Sequence, residues 1–334
     1  MQFLYFLEKI RNPVLDFFMS AITFIGGEAV FLAIAIVLIW CTEKRYGYFT
    51  LLTCFFGTII NQVLKLTFRI PRPWVKDPDF TIVESAREEA TGYSFPSGHT
   101  QNVTGTFTSF ALAKQKKGRI IFCAAIIALV SFSRMYLGVH TPLDVGVSLV
   151  LGVLICALLY PCFKTEERME KTMPYILVLT ALFAIGFTLF AFLLPEEGLD
   201  PHNLESGRKN ACTMLGCIIG LFPIYILDRK YIKYPTHARW YAQIIKVLVG
   251  FGVVLLIKST LQTPLEWIFG GNMYIARTVR YLLIVLFAGL LWPLTFRRFS
   301  TLEIPALDRF GERIVARFSS KKGEMSEKGQ EDEE

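Results

Sequence analysis

Apolar stretches of about 17–22 residues recur along almost the whole 334-residue chain. At 1.5 Å rise per residue, each matches a hydrocarbon core about 30 Å thick. Inside a bilayer no water satisfies backbone N–H and C=O groups, and a helix of this length satisfies them within itself. We read membrane helices near residues 27–42, 46–66, 98–114, 119–136, 142–161, 174–194, 210–228, 241–262 and 278–296. The fold class is therefore all-α, a polytopic membrane helix bundle of about nine TM helices. The first stretch is short and extends back towards 20–26. The third carries Gln101, Asn102, Thr104, Thr106 and Thr108, which places it inside the bundle rather than against lipid.

Net charge is +7, but its distribution argues against a nucleic-acid partner. The basic residues sit in short loops: Lys44 and Arg45, then Lys114, Lys116, Lys117 and Arg119, then Arg229, Lys230, Lys233 and Arg239, then Arg297 and Arg298. With about nine spans these all fall on one side, which the positive-inside rule makes cytoplasmic. The N-terminus, 67–97, 137–141, 195–209 and 263–277 then face the other side, which also carries Arg69, Arg72, Lys76 and Arg87. The seven cysteines form no CxxC pair and no Cys/His cluster, and read as small apolar fillers.

The start of the chain, MQFLYFLEKIRNPVLDFF, lacks the basic region and cleavage site of a signal peptide. Phe3, Leu7, Ile10, Val14 and Phe17 recur at helical spacing, which fits a helix lying in the interface or a short buried one. Residues 1–163 hold nearly every unusual polar residue and form one unit. The charged break KTEERMEK (164–171) opens a second, a four-helix bundle over 164–300. Residues 301–334 are a cytoplasmic tail, with an amphipathic surface helix over EIPALDRFGERIVARFSS and a polar, disordered end.

Three polar clusters interrupt the first unit. Lys65, Arg72 and Pro73 end the second span, Pro96, Ser97, Gly98 and His99 open the third, and Ser133, Arg134, His140 and Asp144 bracket the join of the fourth and fifth. Following the chain through the membrane brings all three to one depth on one face. Lys65, Arg72 and Arg134 supply positive charge, and guanidinium forks match phosphate oxygens. Ser97 is a suitable N-cap, and the amides of Gly98 and His99 behind it form an anion site at a helix N-terminus. Thr141 and Pro142 read as N-cap and N1 of the fifth span. Asp144 then lies in the first turn, within reach of the His140 imidazole. A carboxylate on Nδ1–H leaves Nε2 free as a nucleophile. Asp77 and Asp79 have metal-like spacing but read as a turn.

The pattern K-x6-RP, PSGH and SR-x5-H-x3-D over residues 65–144 resembles the signature of the type 2 phosphatidic acid phosphatases. The motif is also shared with glucose 6-phosphatase and the vanadium haloperoxidases. Every signature position matches. The resemblance implies an acid phosphatase/haloperoxidase-like core in the first half of the chain, with His140 as the nucleophile of a phosphohistidine intermediate and Asp144 orienting it. It implies that His99 protonates the leaving group and then activates water, and that Lys65, Arg72, Ser97, Gly98 and Arg134 hold the phosphoryl oxygens. No metal or other cofactor is implied.

The expected function is metal-independent hydrolysis of a lipid phosphomonoester or diphosphate, either phosphatidate-like or an isoprenoid diphosphate. The site faces the extracytoplasmic side, of the plasma membrane if the cell is bacterial, and membrane lipids surround the protein. A lipid phosphotransferase using the same residues and a non-catalytic lipid transporter are the alternatives. The acidic loop Trp74–Phe95 covers the site, its carboxylates either simply solvated or set against highly anionic head groups. Lys246 reads as snorkelling to the cytoplasmic edge. Lys258 and Glu28 stand open as interfacial anchors or site-lining residues. Oligomeric state is not legible.

Overall fold

The computed structural model describes residues 1–310. Its long elements are α1 (Gln2–Lys9), α2 (Pro13–Thr23), α3 (Glu28–Cys41), α4 (Lys44–Phe68), α5 (Gly98–Ala113), α6 (Lys117–Tyr136), α7 (Pro142–Leu159), α8 (Glu166–Leu193), α9 (Pro201–Leu227), α10 (Trp240–Thr260) and α11 (Met273–Leu286). No strand occurs among the described residues.

All nine expected spans are helices, but two fall short of crossing by themselves. Seven helices are long and apolar enough, and an eighth span results if Pro13–Gly26 and Glu28–Cys41, bent by 49°, count as one. The helix that drops out is α5, with 16 residues. Its polar residues take it out of lipid contact: Gln101, Asn102, Thr104 and Thr106 are buried among α3, α4, α6 and α7. That is the only setting in which such side chains are tolerated at membrane depth.

Boundaries moved where caps outweigh hydropathy. The charged segment after residue 163 is not a break but the first turns of α8: Thr165 accepts from the Arg168 amide at 3.2 Å, and Glu166 and Glu167 complement the helix dipole. Likewise α9 begins at Pro201, capped by Asp200, nine residues before its apolar run. The chain beyond α11 continues through turns of altered pitch to Ser300. Of the expected amphipathic tail helix, 305–310 is helical; the rest, and the expected disordered end, lie outside the described residues.

One apolar core runs through both halves. Leu52, Phe55 and Ile59 of α4 share it with Leu177, Ala184 and Phe187 of α8 and with Met214, Ile218 and Leu221 of α9. At one end, basic loops interlock: Lys44 pairs with Asp228 at 2.7 Å, Arg229 with Glu170, and Arg45 donates to the Phe163 and Lys164 carbonyls. Lys246 does not snorkel. It is 1% exposed and donates to the Trp40 carbonyl at 2.7 Å, because the end of α3 offers that orphaned oxygen beside it.

The opposite end is knitted by its loops. Ser94 N–H donates to Ile70 O at 2.8 Å, Val83 N–H to Leu137 O at 3.1 Å and Ser97 N–H to Asp144 O at 3.2 Å. The N-terminal segment belongs here, with Leu4 and Leu7 buried and Phe3, Phe6, Ile10, Val14 and Phe17 exposed. Arg11 Nε donates to Tyr136 O at 2.9 Å, Tyr5 to Asp77 at 2.9 Å and Tyr136 to Asp16 at 2.8 Å.

Candidate active site

The α6–α7 turn fixes one wall of the site. Gly138 takes φ +82°, and a Cβ there would meet Arg11 and Phe80 within about 3 Å, so the turn closes only with glycine. α7 then starts on a capping box. Thr141 Oγ1 accepts from Asp144 N–H, and Asp144 Oδ2 accepts from Thr141 N–H at 2.7 Å. The Ser94 hydroxyl donates to the same Oδ2, also at 2.7 Å. His140, one residue before the cap, is buried with its Nδ1 3.6 Å from Asp144 Oδ2. That is ion-pair range but not a hydrogen bond, so the expected His140–Asp144 bond is replaced by the two donors from Ser94 and Thr141.

His140 Nε2 lies 3.0 Å from Arg72 Nη1. A guanidinium only donates, so Nε2 bears the lone pair and the ring proton belongs to Nδ1. This is the tautomer a nucleophilic Nε2 requires. Burial, followed by the nearby Arg72, Arg134 and Lys65 charges, pushes His140 well below the ordinary histidine range.

Three cations converge here. Lys65 donates to the Tyr93 carbonyl. Arg72 donates to Gly92 O at 3.1 Å, Thr91 O at 2.8 Å and Val139 O at 3.0 Å. Arg134 is fully buried at the end of α6. Its Nη1 donates to Thr23 Oγ1 at 2.7 Å, while Nε and Nη2 have no partner among the described residues. Among the described residues, none of the three has a carboxylate within 4 Å.

Ser97 caps α5 by accepting from Thr100 N–H at 3.4 Å. It turns the first amides of α5, with Gly98 and His99, toward a cavity of about 330 Å³. Lys65, Arg72, Gly98, His99, Arg134 and His140 line that cavity together. Ser97 and Asp144 do not line it; they hold the residues that do. Gly98 leaves room, since a Cβ there would find nothing nearer than Asn61 Oδ1 at 4.0 Å.

The cavity also contains residues that sequence reasoning missed or left open. Glu89 Oε2 lies 3.0 Å from His99 Nε2, so the carboxylate accepts from the ring, and this bond holds Glu89 below the usual carboxylate range. Glu89 sits in the acidic loop, where nothing in the spacing separates it from Glu88. Gln62, Asn102 and Asn210 line the same space, as does Glu28. Thr23 and Ser94 support Arg134 and Asp144 from distant or unpatterned positions that only the fold brings beside them. Lys258 is not in this cavity.

The PAP2 superfamily matches residues 46–168, and the PAP2 superfamily phosphatase transmembrane extension matches residues 210–303. The chain is 25% identical over 282 residues to lipid phosphate phosphatase delta of Arabidopsis thaliana, covering 78% of this chain and 65% of that protein. It is 31% identical over 162 residues to phosphatidylglycerophosphatase B of Bacillus subtilis (44% of this chain, 74% of that one). It is 30% identical over 151 residues to undecaprenyl-diphosphatase BcrC of the same organism (43% and 73%). The chain thus spans slightly less than two thirds of the plant relative's length. No solved structure matches it.

Proposed function

The chain belongs to the PAP2 superfamily, and on that premise we propose that it is an integral-membrane phosphatase of lipid phosphates or diphosphates. The observation that carries this reading is Arg134. A fully buried guanidinium with two nitrogens unspent is costly unless an anion completes it. Lys65 and Arg72 beside it call for an anion with several oxygens. The relatives' names, which include a lipid phosphate phosphatase and an undecaprenyl-diphosphatase, support a phosphoryl group on a lipid.

In the proposed reaction the phosphoryl oxygens lie among Lys65, Arg72, Arg134 and the first amides of α5, which Ser97 holds in place. Arg72 turns from His140 Nε2 to an oxygen and frees the nucleophile. Nε2 attacks phosphorus, the bond from phosphorus to the lipid oxygen breaks, and that oxygen takes a proton from His99 in its imidazolium form, which the Glu89 carboxylate favours and which returns to neutral imidazole. Water, losing its proton to His99, then attacks the phosphohistidine. The P–N bond breaks, phosphate leaves and His140 is restored. Asp144 keeps the His140 turn in place. Glu89 holds His99 between steps. Three cations and the helix amides supply the charge compensation that a metal ion supplies in other phosphoryl transfers.

A cavity of about 330 Å³ suits a head group and leaves the tail in the bilayer. The basic loops at the other end of the bundle support an extracytoplasmic site. The test is phosphate release by detergent-purified protein in EDTA, on phosphatidate, phosphatidylglycerol phosphate, an isoprenoid diphosphate and glucose 6-phosphate. Wild type is expected to hydrolyse at least one lipid, and His140→Ala to be slower by at least about a thousandfold. Equal rates would remove the phosphohistidine, and release from glucose 6-phosphate alone would remove the lipid. Transfer of the phosphoryl group to another lipid instead of water would make the protein a phosphotransferase.

A further inference from the structure

A second cavity, wide open on its outer side rather than enclosed, lies along α10 beside Arg280 of α11 in the transmembrane extension and shares no residue with the first. Leu255, Leu256, Lys258 and Arg280 supply its chemistry. Arg280 is 8% exposed. One of its Nη atoms donates to Lys258 O at 2.8 Å, and its Nε is buried without a partner among the described residues. Capping the end of α10 uses only one of the guanidinium nitrogens. The Lys258 ammonium is exposed and has no hydrogen bond or ion pair among the described residues. Glu266 accepts from the Gln262 side chain and forms no ion pair with Lys258 or Arg280 among the described residues. Leu255 and Leu256 are 61% and 58% exposed on the lipid side.

Lys258 is two residues from the end of α10, at the level where a helix leaves the hydrocarbon. A guanidinium and an ammonium beside leucines, at interfacial depth, match one class of ligand. A phosphodiester supplies oxygens for the cations, and its acyl chains supply apolar surface for the leucines. A zwitterionic head group would bring a cation of its own to a site that already holds two. We propose that this cavity is a binding site for the phosphodiester head group of an anionic phospholipid, with the acyl chains along Leu255 and Leu256. The proposal does not depend on the catalytic reading.

The test is native mass spectrometry of the delipidated full chain, offered equal phosphatidylglycerol and phosphatidylcholine with matched acyl chains. Wild type, His140→Ala and Arg134→Gln are each expected to retain phosphatidylglycerol over phosphatidylcholine by about fivefold or more. Lys258→Ala removes an exposed side chain with no partner, so the fold is kept and the ratio falls towards one. Arg280→Gln is expected to do the same in protein whose melting transition remains cooperative. A wild-type ratio near one, or an unchanged ratio in Lys258→Ala, overturns the site. Loss of the preference in Arg134→Gln would place the lipid in the catalytic cavity and overturn it as well. Millimolar inorganic phosphate is expected to leave the bound phosphatidylglycerol in place. Displacement by phosphate would make this a free-phosphate site and overturn the lipid assignment.

Discussion

Lys246 and Arg134 are both buried cations, one at each end of the bundle, and they differ in what their donors do. Lys246 bonds the Trp40 carbonyl at 2.7 Å and stands 4.4 Å over the Phe296 ring. Arg134 bonds one hydroxyl and leaves Nε and Nη2 empty toward a cavity. Burial of a charge therefore does not mark a site; donors left unspent do. The comparison breaks most visibly under a pair of substitutions. Arg134→Gln is expected to lower kcat/KM by about a hundredfold to a thousandfold with the fold retained. Lys246→Met is expected to leave activity unchanged and to cost about 1–3 kcal/mol of stability, because the Trp40 carbonyl loses its donor. If Lys246→Met lowers activity as much as Arg134→Gln, the distinction fails.

The acidic loop extends the comparison to carboxylates. Glu84 pairs with Arg87 at 2.6 Å on the surface, while Glu89 turns inward to His99 at 3.0 Å. Exposed pairs of the first kind contribute little, so Glu84→Gln is expected to leave rates unchanged. Glu89→Gln removes the carboxylate that orients His99 and is expected to lower kcat by about tenfold or more. The pair of variants is measured in the same phosphate-release assay. Equal effects would return Glu89 to the solvated surface.

A smaller effect reads the cations through pH. His140 is held well below the usual histidine value by burial first, then by Arg72, Arg134 and Lys65. A lowered value keeps Nε2 unprotonated as pH falls through 6.5. The acid fall of kcat/KM, which reports the free enzyme, is therefore expected below that point. Lys65→Met removes one of the charges that disfavour imidazolium, so the fall is expected to move up in pH. A profile unmoved by Lys65→Met would show that the Lys65 charge does not act on His140, leaving burial and the two arginines to set the value.

How much of this was legible in sequence follows the range of each interaction. Helix identity is local: apolar length gave nine helices, and caps such as Thr141 with Pro142 were visible as residue pairs. The cluster Lys65, Arg72, His99, Arg134 and His140 was legible because alternate crossings of a membrane dictate which ends meet. What escaped depends on distances that spacing does not fix. Asp144 was expected against Nδ1, but its carboxylate is held by Ser94 and Thr141, leaving 3.6 Å to the ring. Thr23 reaches Arg134 across 111 residues, and Glu89 is chemically indistinguishable from Glu88 until the loop folds. Lys246 looked like an interfacial anchor because its carbonyl partner, at the end of α3, lies 206 residues away.

The smallest effect separates two glycines. In α9, Gly216 lets α11 approach so closely that a Cβ would stand 2.2 Å from the Thr278 carbonyl oxygen, which is backbone and has no rotamer to yield. Gly216→Ala must therefore shift one helix and is expected to lower the melting temperature, at a cost of about 1–3 kcal/mol from overpacking. Gly98 is the opposite case. It is the first residue of α5, its Cβ would point into open cavity, and the nearest atom is 4.0 Å away. Alanine suits a helix better than glycine by roughly 0.5–1 kcal/mol, so stability is expected to hold or rise slightly in Gly98→Ala. The added methyl would occupy space beside the first amides of α5, where a phosphoryl oxygen is proposed to sit, and a severalfold rise in KM is expected. Thermal melts and steady-state kinetics on both variants decide the point. A Gly98→Ala protein with an unchanged KM would mean that the α5 amides do not bind the phosphoryl group, and the cations alone would have to hold it.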